Sequence, residues 1–260
     1  MVQGGVHLEP TLQATGIAKY FGSIRALEHV DFEIYPGEVV AVLGDNGAGK
    51  STFIKILSGV YHPDQGEIRL NGELVRLNSP MDARKKGIET VYQDLALAPQ
   101  VDVTSNIFLG REMMRKGLLG KIGFLDRKAM RDQVKNMLGQ LKASVKSVNQ
   151  VVDELSGGQR QAVAIVRAVS WGTNLVIMDE PTAALGVEES AKTLELIKEV
   201  KSKGIPVIFI THTIPFAFDV ADRIVVLRLG KSVVNLMTHD THMDEVVQWI
   251  TGSKSVENNY

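Results

Sequence analysis

The stretch Gly44-Asp45-Asn46-Gly47-Ala48-Gly49-Lys50-Ser51 has the residue types and spacing to hold the phosphates of a nucleotide. Its glycines let backbone N–H groups wrap the phosphates, Lys50 reaches the β- and γ-phosphates, and the Ser51 hydroxyl is a ligand for Mg²⁺. Alone, this loop says only that a nucleotide binds. Ser156-Gly157-Gly158-Gln159 adds a second phosphate-seeking element. Ser156 and Gln159 have the spacing of a capping box at a helix start. Free N–H groups and the positive end of the helix dipole face outward there, and two glycines permit close approach. An isolated capping box is ordinarily just a helix cap. Its place after a phosphate loop and before an acidic strand end is what makes it a candidate site.

Asp179 closes the apolar run Leu175-Val176-Ile177-Met178 and is placed to hold Mg²⁺ through water. A strand-end Asp by itself is often a helix cap; Lys50 and Ser51 promote it. Glu180 follows directly. Two adjacent carboxylates repel, so the second needs a task, and polarising a water in line with the γ-phosphate is the useful one. Gln93 and His212 each follow an apolar strand, which brings them to the ligand-binding edge of a parallel sheet. There Gln93 would touch magnesium or water and His212 the γ-phosphate, against the plainer reading of each as a loop hydrogen-bonder. Phe21, between Tyr20 and Gly22, is a candidate either to stack on adenine or to pack in a core.

Positioning these groups requires strands that end at a common edge. Val39 to Leu43 is a continuous apolar run suited to a buried parallel strand. It feeds the phosphate loop and then a helix from about Lys50 to Ser58, which buries Phe53, Ile54 and Leu57 and stops at Gly59. Earlier, Asp31-Phe32-Glu33-Ile34 alternates and Pro36-Gly37 turns. Glu67 to Leu70 and Glu73 to Arg76, joined by Asn71-Gly72, form a hairpin. Ser79-Pro80 starts a short helix that Gly87 ends, and a strand from Ile88 to Tyr92 delivers Gln93. Residues 94–158 have helical periodicity, and basic residues accumulate between Arg111 and Lys146, a solvated helical face in preference to a surface facing lipid head groups. Alternation then returns: Leu175 to Met178, a helix from about Val187 to Lys203, Val207 to Ile210, and Ile224 to Leu227. The pattern is α/β, a parallel sheet flanked by helices and interrupted by an inserted helical lobe.

At 260 residues the chain suffices for one large α/β domain or a core with a sub-domain. A net charge of −1 gives no global field for nucleic acid or anionic lipid. The absence of cysteine excludes disulfides, thiolate zinc sites and a cysteine nucleophile, and suits a reducing compartment. Met1 to Gly5 shows no export signal, no apolar run nears the ~18 residues of a membrane span, and about the last eight residues read as disordered.

With these residues in place the chain resembles the ATP-binding subunit of an ABC transporter over nearly all of residues 11–235. By that resemblance Gly44 to Thr52 is the Walker A loop, Gln93 the Q-loop glutamine and Leu155 to Gln159 the signature. Leu175 to Asp179 is the Walker B strand, Glu180 the catalytic glutamate, His212 the switch histidine and Phe21 the adenine-stacking aromatic. The resemblance implies a P-loop NTPase (RecA-like) core with an N-terminal antiparallel β-subdomain, together about 11–93 and 159–240. A helical signature subdomain at 94–158 and a C-terminal helix and tail at 241–260 complete it. It further implies ATP and Mg²⁺ and a head-to-tail homodimer in which ATP lies between the Walker A loop of one copy and the signature of the other. Permease subunits in the membrane, and through them a periplasmic or extracellular solute-binding protein, would be partners. The chain would sit peripherally at the cytoplasmic face of the bacterial inner membrane and bind no nucleic acid.

Gln93 to Pro99, Thr104 to Glu112 and Glu180 to Gly186 are similar to bacterial monosaccharide importers of the ribose and fructose kind, many of which fuse two cassettes. Gly186 stands where that segment usually ends in Asp, and Thr213 and Pro215 replace acidic residues common after the switch histidine. The alternatives are a soluble, non-transport ABC ATPase, the ATPase of an importer for another solute, a nucleotide-binding protein without hydrolysis and an exporter. Leu95, Leu97, Ala98, Pro99 and Val101 form an apolar run that either docks the permease or buries inside the helical lobe.

Overall fold

A computed structural model describes residues 9–254. The proposed leader-free start and most of the segment read as a disordered tail lie outside them. The chain opens with two long strands, β1 (Leu12–Phe21) and β2 (Ile24–Ile34), followed by the buried β3 (Val39–Leu43) and α1 (Lys50–Leu57). The hairpin β4 (Gln65–Leu70) and β5 (Glu73–Val75) comes next, then α2 (Pro80–Lys85) and β6 (Ile88–Val91). The inserted region holds α3 (Val103–Ile107), α4 (Leu118–Lys121) and α5 (Arg127–Gln140), and leads into α6 (Gly157–Trp171). The remainder is β7 (Leu175–Asp179), α7 (Val187–Ser202), β8 (Val207–Ile210), α8 (Ile214–Val220), β9 (Arg223–Arg228), β10 (Lys231–Met237) and α9 (Met243–Thr251).

Ten strands form a sheet of order β5-β4-β1-β2-β10-β9-β3-β8-β7-β6. The run β9-β3-β8-β7-β6 is parallel, and its strands are buried on both faces, which is why they read as unbroken apolar runs. Successive side chains point to opposite faces. Val39, Ala41 and Leu43 join Val176, Met178, Val207 and Phe209 against α6, α7 and the inserted region. Val40 and Val42 join Ile177, Ile208 and Ile210 against Phe53, Ile54 and Leu57 of α1 and the antiparallel strands. The antiparallel part, β1, β2, β4 and β5, joins the sheet where β2 pairs with β10 at His29–Lys231, and β10 in turn pairs antiparallel with β9.

Among the helices, two features differ from the sequence reading. Residues 94–158 contain one helix of ordinary length, α5, with short helices and loops around it, stitched by isolated bridges Asp102–Val151 and Met114–Leu125. The region shares its core with the sheet, since Val134 and Leu138 of α5 belong to the same cluster as Val176 and Phe209. The second is α8, which was not read as a helix. Pro215 sits in its first turn, where the missing N–H has no intrahelical partner to lose.

Candidate functional site

The phosphate loop leaves the buried β3 and enters α1, and each glycine that matters is fixed by a neighbour. A Cβ on Gly44 would lie 2.3 Å from the Leu227 carbonyl oxygen of β9. A Cβ on Gly49 (φ 108°) would meet Leu27 Cδ2 at 2.5 Å and the Ala26 carbonyl oxygen at 2.9 Å, so β2 closes the loop's other side. Gly230 N donates to the Ala48 carbonyl at 3.1 Å and pins the loop to the β9–β10 turn. Asp45, Asn46 and Gly47 are exposed and Ala48 is buried. Lys50 Nζ donates to the carbonyls of Gly44 (2.6 Å) and Asp45 (3.1 Å). Burial lowers its proton affinity, and Glu180, Asp45 and Asp179 oppose that with their charge. A phosphate oxygen is a stronger, charge-assisted acceptor than these carbonyls. Gly44→Ala should therefore displace the loop from β9, cost about 1–3 kcal/mol of stability by overpacking and abolish nucleotide binding. Thermal unfolding together with ATP titration reads both effects; a variant that keeps both properties contradicts the account of the loop.

At the same edge, the parallel order β3-β8-β7-β6 brings the ends of four strands side by side. Asp179 ends β7, Glu180 follows it, His212 stands two residues beyond β8, and Gln93 two residues beyond β6. Burial and the adjacent Glu180 push the Asp179 carboxyl above the usual range, with Lys50 and Lys55 opposing. Glu180 adopts φ 50° and its N–H donates to the Ile210 carbonyl at 3.0 Å, so a rare backbone conformation is tied to β8. Its side chain is 15% exposed, with Oε2 2.8 Å from His212 Nδ1. That is an ion-pair distance without hydrogen-bond alignment, and Oε2 has no aligned donor among the described residues. A cavity of about 440 Å³ opens between the phosphate loop, His212 and α9, lined by Gly44, Asp45, Asn46, Thr211, His212 and Ile250. Among the described residues no cluster of three or more His, Asp or Glu could hold a metal by itself. Ser51 and Gln93 are exposed, and Thr52 is half-buried.

The second element forms the full capping box read from the sequence. Gln159 N donates to Ser156 Oγ at 3.2 Å and Ser156 N donates to Gln159 Oε1 at 3.0 Å. The two glycines have reasons within the chain as well. A Cβ on Gly158 would lie 2.6 Å from Glu189 Cγ of α7, and one on Gly157 would touch Leu185 at 3.4 Å. Gly186 caps α7, and a Cβ there would lie 2.6 Å from Glu189 Oε2, the movable end of a flexible side chain. Phe21 is 41% exposed and packs edge-to-face on Tyr61 at 5.2 Å, which removes the core-packing alternative. It pairs with Ile24 at the end of β1 where the chain turns into β2.

Sequence reasoning missed the side chains that hold the Gln93 loop. Arg167 of α6 donates to the carbonyls of Leu95 and Ala96 at 2.8 and 2.7 Å. The fully buried Asn106 accepts from Ala98 N at 2.7 Å and donates to Ala98 O at 2.9 Å. A signal for Arg167 was present: it is the single charge between Ala162 and Trp171, a run otherwise apolar but for Ser170.

Fold and site together define a P-loop nucleotide-binding cassette. The ABC transporter family model matches residues 27–183, and the chain belongs to that family. It is 50% identical to the fructose import ATP-binding protein FrcA of Rhizobium meliloti, over 95% of each chain. It is 48% identical to the xylose/arabinose import ATP-binding protein XylG of Sulfolobus acidocaldarius, over 92% of this chain and 93% of that one. The ribose import ATP-binding protein RbsA 1 of Rubrobacter xylanophilus is 40% identical, and there the chain spans 49% of the relative's length. Among solved structures, a nucleotide-free ATP-binding cassette from an ABC transporter superposes with TM-score 0.77 at 25% identity, covering 95% of this chain and 98% of that one. A dimeric cassette in a post-hydrolysis state, bound to ADP and Pi, gives TM-score 0.71 at 25% identity over 87% of this chain and 98% of that one.

Proposed function

We propose that this chain is the ATP-hydrolysing subunit that powers import of a sugar, a monosaccharide by its relatives, through a separate membrane permease. The observation that carries the reading is the arrival of Asp179, Glu180, His212 and Gln93 at one sheet edge with Lys50 in their field. Lys50 and the loop amides bind and orient the phosphates. Ser51, Asp179 and Gln93 are oxygen donors suited to Mg²⁺, which takes one or two protein ligands plus phosphates and water, and a carboxyl already strained by burial beside Glu180 gains from a cation. When bound, the ion neutralises charge on the β- and γ-phosphates. Glu180 Oε2, with no aligned donor, accepts the proton of the attacking water. His212 Nδ1 lies 2.8 Å from that carboxylate, and the ring would contact the γ-phosphate. Phosphate release by the purified chain tests this, with Lys50→Ala as the control: release equal in both contradicts it.

Two copies associate head to tail in this reading, each nucleotide lying between Lys50 of one and Ser156, Gly157, Gly158 and Gln159 of the other. The support is that the glycines of the two phosphate-seeking elements pack on different parts of the chain: Leu27, Ala26 and Leu227 flank one, Leu185 and Glu189 the other. The chain would work peripherally at the cytoplasmic face of the plasma membrane, a permease linking it to a solute-binding protein outside. No helix of the described residues is long and apolar enough to cross a membrane.

The permease contact shifts from the run first considered for it. Leu95 and Leu97 pack against the core, whereas Met114, Ile122 and Phe124 are 53%, 62% and 53% exposed. The bridge Met114–Leu125 and the bond from Arg115 N to Phe124 O place Met114 and Phe124 in one short antiparallel ladder. Phe124→Asp with Met114→Asp should leave folding and hydrolysis intact and abolish co-purification with the permease. Undiminished co-purification would place the contact elsewhere.

A further inference from the structure

We propose that Arg167 is a positioning residue that makes the Gln93 loop and the signature helix α6 move as one body. The inference rests on the reading above, in which Gln93 senses the γ-phosphate. α6 starts at Gly157, and Arg167 lies three turns along it, about 16 Å from the cap at 1.5 Å per residue. From there its guanidinium forks onto two consecutive carbonyls, Leu95 O at 2.8 Å and Ala96 O at 2.7 Å. Both acceptor residues sit in the left-handed region, Leu95 at φ 61° and Ala96 at φ 46°, and neither is glycine. Two such residues in succession persist only where surrounding bonds over-determine them. The fork is that bond, and it holds the far leg of the turn carrying Gln93: Leu95 N donates to Tyr92 O at 2.9 Å, which closes Gln93 and Asp94 into the turn.

Geometry makes the fork specific. A guanidinium presents parallel donors to two acceptors at once, which an ammonium cannot match. Burial and the like charge of Arg84 weaken its hold on the proton while Glu89 strengthens it, yet an arginine stays charged at any working pH. Behind the fork, Trp171 Nε1 donates to Ile107 O at 3.0 Å and Arg111 stacks on the Trp171 ring at 4.9 Å, so α6 also grips the end of α3. The fold therefore provides a rigid link from Gln93 through Leu95 and Ala96 to Arg167 and along α6 to Ser156. A shift of the Gln93 turn on γ-phosphate binding displaces the cap that serves the partner copy's nucleotide.

The test uses the purified full chain, measuring steady-state hydrolysis, ATP binding and thermal unfolding for wild type, Arg167→Gln and Arg167→Lys. Arg167→Gln should keep the ATP Kd and KM within about twofold and lower kcat by about 10²-fold, the scale of a small misplacement of a reacting group. Arg167→Lys, which keeps one charged donor, should recover part of kcat with the same KM. A folded Arg167→Gln with wild-type kcat overturns the proposal. So does a parallel loss of binding and kcat in both variants, which would make Arg167 a packing residue. Should Arg167→Gln fail to fold, Arg167→Lys decides alone: lower kcat at unchanged KM supports the link, and wild-type kcat overturns it. Failure of the ATPase reading looks different, because wild type would then release no more phosphate than Lys50→Ala.

Discussion

Glu180→Gln should leave ATP bound and lower turnover by about 10²-fold or more, the scale of losing a general base. The substitution keeps the shape of the side chain, so the Ile210 bond that fixes residue 180 and the packing of its largely buried side chain are retained. What disappears is the carboxylate that, in the proposed mechanism, takes a proton from water. The negative charge that raises the Asp179 carboxyl also goes, and with it a repulsion toward the γ-phosphate. Binding therefore holds or tightens while chemistry stops. An unchanged phosphate-release rate in folded Glu180→Gln protein would remove this residue from the mechanism and leave His212, 70% exposed, as the remaining titratable group of the pair.

The hydrolysis-blocked protein also exposes the second large effect. With ATP and Mg²⁺, Glu180→Gln protein should sediment as a dimer, and adding Ser156→Arg should hold it monomeric. Ser156 Oγ accepts from Gln159 N, and its loss costs a helix cap, about 1 kcal/mol. An arginine beside the positive end of α6 adds about 0.3–1 kcal/mol against the dipole. Both are small beside a domain's 5–15 kcal/mol, so the chain stays folded. In the proposed head-to-tail pair the bulk and charge fall where the partner's phosphate would lie. A dimer that forms equally well with Ser156→Arg would sink the head-to-tail arrangement.

The parts of this architecture legible in the sequence are those whose cause is local. The run Val39 to Leu43 is buried on both faces, and Asn71-Gly72 adopts the two positive φ angles, 48° and 78°, that its hairpin requires. The capping box at Ser156 is likewise contained within four residues. Other parts hid for identifiable reasons. Register shifts at Ala14/Ile17, near Gly16 at φ 60°, break the alternation of β1, so only the end of β2 stood out as a strand. β10 is only partly buried along its length, and its apolar residues Val233, Val234 and Leu236 do not keep a strict alternation. Gly158 reads as an opening for phosphate, yet the space is already claimed by Glu189, thirty-one positions away in sequence. The bonds from Arg167 to Leu95 and Ala96 span 72 and 71 residues, and a carbonyl acceptor carries no mark of its own in a sequence. The apolar run from Leu95 to Val101 was ambiguous in the same way, since burial and docking ask for the same residue types.

The central claim, that hydrolysis at Glu180 drives sugar import, meets its most direct test in cells that carry the chain with its permease and solute-binding protein. Uptake of a radiolabelled monosaccharide is compared between wild type and Glu180→Gln at equal amounts of chain in the membrane. Uptake that collapses in Glu180→Gln, in proportion to the phosphate-release rate of the purified variant, is the predicted result. Uptake that persists at the wild-type rate while hydrolysis is lost would contradict it.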